Sequence, residues 1–184
     1  MEKKELELYI HIPFCVRKCN YCDFLSFPAD EDTQRQYVKA LCKEIFYYGA
    51  HCRDYVVSTV YIGGGTPSWL WESDMAAILD AIQKSFSLLP EAEVSIECNP
   101  GTVTAQKFAV YRQSGINRIS LGLQSAQNVE LKMLGRIHTW EQFLKTYELA
   151  RSGGFSNINV DLMSSLPGPV SYTHLRAHET DQYL

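Results

Sequence analysis

Three cysteines fall within one short run, Cys15-Val16-Arg17-Lys18-Cys19-Asn20-Tyr21-Cys22. Spacings this short let a single loop wrap its thiolates around three corners of an iron–sulfur cubane. Ordinary four-cysteine ligation leaves no iron open, whereas three ligands leave one iron free for another group. Structural zinc is the competing reading, with His11 or the distant Cys98 as a fourth ligand. A packed or hydrogen-bonded His11 suits the strand pattern equally well. Arg17 and Lys18 lie inside the loop, where they either offset thiolate charge or are simply solvated. Cys42 sits in a helical pattern and Cys98 ends a strand pattern, so both are expected to be small buried hydrophobes. In a reducing compartment the group of three points to metal rather than to disulfides.

Other polar and glycine-rich signals follow. Gly63-Gly64-Gly65-Thr66-Pro67-Ser68 comes straight after a β-branched apolar run. Glycines there permit close backbone approach, and free N–H groups would suit the charged end of an amino acid. No Gly-Lys-Ser/Thr follows, so it is not a Walker loop, and a tight turn would also want glycine. Glu97, Gln124, Arg136 and Asp161 are ambiguous singly. Together, on the rim that bears the cysteines, they suit a polar cofactor with a ribose and a zwitterionic end. S-adenosylmethionine is such a molecule: its amino and carboxylate groups fit the open iron. An electron passed into its sulfonium cleaves a C–S bond and releases a deoxyadenosyl radical, chemistry that belongs to the cofactor while the protein positions it.

The elements that must hold these groups alternate strand and helix. Leu6 to Ile12 reads as a strand and Asp32 to Tyr48 as a helix with Tyr37, Leu41, Ile45 and Tyr48 on one face. Val56 to Ile62 is a second strand, and Ser73 is expected to cap a helix to Phe86. Val94 to Cys98, Arg118 to Leu123 and Asn157 to Leu162 read as further strands. Helices over Thr104 to Ser114, Asn128 to Leu134 and from Thr139 separate them, the last opened by a Thr139/Gln142 capping box. Right-handed βαβ units around a parallel sheet follow, and the run from Cys15, Gly63-Gly64-Gly65, Glu97, Gln124 and Asp161 each fall at a strand's C-terminal end, the functional rim of such sheets.

Composition bounds the rest. The 184 residues suit one domain, 46% of them are hydrophobic, and the net charge is -4. No basic block suggests a nucleic-acid groove. No run is long and apolar enough for a transmembrane segment and no secretory leader is visible, so the expected compartment is cytoplasmic. Periodicity breaks down after Gly168. Pro169 to Leu184 resembles translated sequencing adapter, so residues 1–168 are taken as the core and 169–184 as a non-native tail. His174 and His178 are therefore not read as a metal pair.

With these residues in hand, the chain resembles radical S-adenosylmethionine (radical SAM) proteins of the oxygen-independent coproporphyrinogen III oxidase group over Leu8 to Gly168. Tyr9 to Phe24, Gly63 to Ser68, Glu97 to Thr102, Gly115 to Ser125, Leu134 to His138 and Asn157 to Gly168 carry the resemblance. It implies an α/β fold, a partial (β/α) barrel of which about five of six β/α units are present. It also implies a [4Fe-4S] cluster on Cys15, Cys19 and Cys22, and S-adenosyl-L-methionine contacts from Tyr9, Tyr21, Cys22, Gly64, Gly65, Thr66, Glu97, Gln124, Arg136 and Asp161. The oxidase has a further cysteine two residues after the last ligand, where this chain has Phe24. That departure is similar to the haem chaperone branch, which implies haem delivery, a haem or porphyrin ligand, a haem-acceptor protein and an electron donor. Haem-binding residues of that branch would lie in a C-terminal part beyond this chain. Oxidative decarboxylation of coproporphyrinogen III is the alternative, and a radical reaction on an unrelated substrate a third. Phe24 weighs against the oxidase.

Overall fold

The computed structural model describes residues 3–164 and Leu166. Five strands run through it: β1 (Lys4–Ile12), β2 (Tyr55–Gly64), β3 (Leu88–Cys98), β4 (Arg118–Gln124) and β5 (Asn157–Leu162). They form one sheet in sequence order, and every neighbouring pair is parallel. Helices α1 (Glu31–His51), α2 (Glu72–Ser85), α3 (Ala105–Gln113), α4 (Asn128–Met133) and α5 (Trp140–Ser152) make the crossovers. This is the α/β partial-barrel architecture expected, with all five strands in place.

Local chemistry explains where the helices begin. Asp30 accepts a hydrogen bond from the Thr33 N–H at 2.8 Å and caps α1, with Glu31 and Asp32 in the first turn favoured by the helix dipole. Thr104 caps α3 in the same manner, and the Thr139/Gln142 capping box opens α5. The expectation fails at α2. Trp71 stands at its N-cap without a side-chain bond, and Ser73 lies one residue inside the helix. Glu72 and Asp74 there compensate through the dipole alone. On α1 the buried stripe is Gln34, Val38, Leu41, Ile45 and Gly49, while Tyr48 is exposed. Strand β3 also starts earlier than its apolar run: Leu88 pairs with Val57 before the register jumps to Glu93 opposite Thr59. Pro90 falls inside that jump, where its missing N–H costs no ladder bond.

The strands divide their residues by parity. Ile10 and Ile12, Val60 and Ile62, Val94 and Ile96, Ile119 and Leu121 join the apolar core beneath the helices. The alternate positions are polar. Arg118 Nη1 meets Glu93 Oε1 at 3.3 Å, and Ser120 and Asn159 both bond Asp161. A closed (β/α) barrel fills this inner layer with branched apolar side chains; here the layer is a hydrogen-bonded lining. The run from Pro169 onward, read above as adapter, lies outside the described residues, as do His174 and His178.

Candidate functional site

The cysteine loop leaves β1 and is closed at its base. The Phe27 N–H donates to Pro13 O at 2.9 Å, and the Cys15 N–H to Phe27 O at 3.1 Å. Phe14 is buried there, edge-on to the rings of Phe27 and Tyr37. The far side of the loop docks on the segment after α4. Asn20 donates to Leu134 O and Met133 O at 3.0 and 2.9 Å, and Arg17 Nη2 to Gly135 O at 2.8 Å. Gly135 is required at this seam: its φ is +73°, and a Cβ there would sit 2.8 Å from Asn20 Oδ1. Arg17 is thus a docking residue, and Lys18 donates to Phe24 O at 3.1 Å.

The other two residues weighed as metal ligands are engaged elsewhere. Both ring nitrogens of His11 are hydrogen-bonded, to Tyr9 Oη at 3.2 Å and to Leu25 O at 3.0 Å. Cys98 is buried in the apolar core, and burial pushes its thiol up to about 12. Cys42 packs against the same core. Among the described residues no three His, Cys, Asp or Glu side chains converge to hold a single metal ion. A cubane makes a different demand, one thiolate at each of three separate irons.

The glycine segment corrects part of the expectation. Gly64 has a φ of +114°, and a Cβ on it would strike the His11 ring at 2.6 Å; one on Gly65 would strike Phe14 O at 2.6 Å. Close approach is therefore what the glycines provide, but the approach is to the end of β1 and to the cysteine loop. The Gly65 N–H donates to Ile12 O at 2.8 Å and the Thr66 N–H to Phe14 O at 2.7 Å. The Gly64 N–H donates to Glu97 Oε2 at 3.1 Å. These three donors are consumed, so what the segment can still offer a ligand is carbonyl oxygen and open space.

Glu97 also accepts from Tyr61 Oη at 2.8 Å. Burial pushes its carboxyl above the usual carboxylate range, and the two donors pull it partway back. Arg136 crosses the site from the opposite wall. Its Nη2 donates to Asn99 Oδ1 and to Gly122 O, each at 2.6 Å, and its Nη1 reaches Tyr21 Oη at 3.5 Å and Cys19 Sγ at 3.7 Å. Its buried Nε has no hydrogen-bond partner among the described residues. Gln124 carries φ +73°, the one non-glycine in the left-handed region among the described residues. Backbone strain at a strand end is the kind of outlier that marks a site.

These groups share one cavity of about 350 Å³, within the size range of small-molecule sites. Cys15, Cys19 and Cys22 line it, as do all the sequence-predicted cofactor residues except Tyr9. Tyr9 stands beside the cavity, 60% exposed, its ring 6.2 Å from that of the lining residue Tyr61. Phe24 stands on the lining, 67% exposed. Tyr61, Asn99 and Gly122 also line the cavity and escaped the sequence reading, and Cys98, read from sequence as a small buried hydrophobe, reaches the lining as well. Strand parity was the available signal for Tyr61, which alternates inward two residues before Gly63. The cavity fits a polar, charged ligand: its lining carries the Arg136 guanidinium, carboxylates on two strands, and glycine-spaced backbone.

Residues 9–169 match the radical SAM superfamily. The heme chaperone HemW of Escherichia coli (strain K12) is 42% identical over 163 residues, covering 88% of this chain and 43% of that protein. HemW of Haemophilus influenzae is 39% identical, over 88% of this chain and 44% of that one. Among solved structures, the coproporphyrinogen III oxidase HemN from Escherichia coli, a radical SAM enzyme, superposes with a TM-score of 0.86 at 27% identity, covering 98% of this chain and 42% of that one. The chain spans less than half the length of these relatives. No helix among the described residues is long and apolar enough to cross a membrane.

Proposed function

The chain belongs to the radical SAM superfamily, and from that premise we propose that Cys15, Cys19 and Cys22 hold a [4Fe-4S] cluster, that the adjoining cavity takes S-adenosylmethionine, and that both serve a haem chaperone within a longer protein. One observation carries the reading: the three cysteines open onto the same cavity as Glu97, Gln124, Arg136 and Asp161. When bound, the cluster and cofactor supply a reducing electron and a carbon radical. The residues of this chain do the holding. Arg136 offers a cationic partner for a carboxylate, and the carbonyls of the glycine segment offer acceptors for an ammonium group. Glu97, Gln124 and Asp161, on three neighbouring strands, offer acceptors for ribose hydroxyls. Tyr21 and Tyr9 flank the opening.

The chaperone assignment is supported by the relatives named heme chaperone and by Phe24 at the position where the oxidase resemblance calls for cysteine. Its partners are haem or a porphyrin, an acceptor protein and an electron donor. Coproporphyrinogen III oxidation is the second reading, favoured by the TM-score of 0.86 with HemN. Anaerobic reconstitution of the chain tests the cofactor half: about four irons per chain, lost on Cys15→Ala, Cys19→Ala or Cys22→Ala, and a cluster spectrum perturbed by S-adenosylmethionine. Unchanged iron content in those variants refutes the cluster. The longer parent, assayed with coproporphyrinogen III, a reductant and S-adenosylmethionine, separates the two readings. Formation of protoporphyrinogen IX sinks the chaperone assignment.

A further inference from the structure

Two of the three loop sulfurs face a hydrogen-bond donor from elsewhere in the fold. Thr66 Oγ1 lies 3.5 Å from Cys15 Sγ, and Arg136 Nη1 lies 3.7 Å from Cys19 Sγ. A single side chain connects the two donors. Asn99, just past the end of β3, donates from Nδ2 to Thr66 Oγ1 at 2.9 Å and accepts at Oδ1 from Arg136 Nη2 at 2.6 Å. The chemistry dictates that orientation. A guanidinium has no acceptor, so it takes the carboxamide oxygen and leaves the NH2 for Thr66. That bond occupies the acceptor side of the hydroxyl and leaves its one proton for the Cys15 sulfur.

Asn99 is itself held firmly. Its backbone N–H donates to Ser68 Oγ at 3.1 Å, and its carbonyl accepts from Thr102 Oγ1 at 2.7 Å. Beneath them the buried Lys107 Nζ ties the Ser68 and Thr102 carbonyls together at 2.8 and 3.2 Å. Burial lowers this lysine's pKa, so its charge is held at a desolvation cost that the two carbonyls offset. The bridge from Thr66 to Arg136 therefore rests on a rigid base at the ends of β2 and β3.

We infer that Asn99 is a positioning residue that sets the reduction potential of a cluster on Cys15, Cys19 and Cys22, by holding Thr66 and Arg136 as donors to two of its ligand sulfurs. The inference rests on the cluster proposed above. Donors to ligand sulfur stabilise the extra negative charge of the reduced cluster and raise its potential. In the measurement, one electron passes from a low-potential chemical reductant into the cluster, and no bond forms or breaks.

The test uses the full 184-residue chain, reconstituted anaerobically with iron and sulfide and titrated with the reductant while the reduced cluster is followed by electron paramagnetic resonance. Asn99→Ala removes both bonds. Asn99→Asp keeps the acceptor for Arg136, but its carboxylate draws the Thr66 proton away from Cys15. Both variants should keep wild-type iron content while the reduced-to-oxidised ratio at a fixed potential falls roughly tenfold, about 59 mV for a one-electron couple. Adding Thr66→Val to Asn99→Asp should produce less further shift than Thr66→Val alone, because both act on the same sulfur. An unchanged midpoint at full iron content overturns the inference, as does loss of iron from both variants, which makes Asn99 scaffold only. A wild-type chain that assembles no cluster is a separate result: it removes the cluster reading itself.

Discussion

The two faces of the sheet are built from the same five strands, residue by alternate residue, and they obey different rules. Toward the helices lie Val60, Ile62, Ile96, Ile119 and Leu121, each fully buried. Their contribution is area removed from water, which is non-directional and forgiving of small shifts. On the opposite face lie Tyr61, Glu97, Ser120, Gly122 and Asp161, bound to one another and to the loops by directed hydrogen bonds. That face adds little to stability by area, and each of its groups needs a particular partner. Stability and chemistry are thus separated by a single residue's step along a strand. Substitutions one position apart should have effects of different kinds.

The largest expected effect belongs to the helix side. Ile96→Ala empties a fully buried site in the central strand and should destabilise the chain by about 2–5 kcal/mol. Urea unfolding of the two proteins measures it, and the surviving folded fraction should bind iron normally. A loss below roughly 1 kcal/mol would mean that the core is not organised around β3.

An intermediate effect is expected at the seam between the faces, where His138 is buried next to the Arg136 wall. Burial and the Arg136 charge lower its pKa from 6.5 to about 4, and a hydrogen bond to the Leu123 backbone pulls it partway back. Its Nε2 has no hydrogen-bond partner among the described residues. Between those two values the unfolded chain binds a proton that the folded chain does not, so stability rises with pH across that window. The contribution is complete above pH 6.5 and is lost as the pH falls toward 4. Melting temperatures of the chain and of His138→Gln, taken across this range, should show a shallower acid slope in the variant. Parallel curves would place the acid sensitivity elsewhere.

The two faces also differ in how far they could be read from sequence. Apolar periodicity placed all five strands, and Asn157 and Leu162 are the ends of β5 as expected. The Thr139/Gln142 capping box was legible because it is local. Ser73 misled because cap preference is only a tendency and the acidic first turn of α2 does the work instead. The cavity was legible through residue types at strand ends, where an isolated carboxylate or a glycine run stands out. What stayed hidden is what joins them. Asn99 bonds to side chains 33 and 37 positions away, and an asparagine beside a proline reads locally as a turn. Likewise the glycine segment announced close approach without saying to what, and its N–H groups turned out to face β1, the cysteine loop and Glu97 rather than a ligand.

The smallest effect on stability is expected on the polar face, and it gives the sharpest contrast. Glu97→Gln sits one residue from Ile96 and keeps the side chain's shape. It removes a carboxylate whose burial already raises its pKa, so the desolvation lost offsets the weakened bonds to Tyr61 and Gly64. The net change in unfolding free energy should stay within about 1 kcal/mol. Binding should respond far more. If Glu97 meets the cofactor as a charged acceptor, its loss costs about 1.5–3 kcal/mol, which weakens S-adenosylmethionine binding roughly ten- to hundredfold. Calorimetric titration of the reconstituted chain reads that change, with unfolding curves of the same samples alongside. Should Glu97→Gln unfold the chain as readily as Ile96→Ala while binding the cofactor unchanged, the division of labour between the faces would be wrong, because the polar lining would then be part of the core.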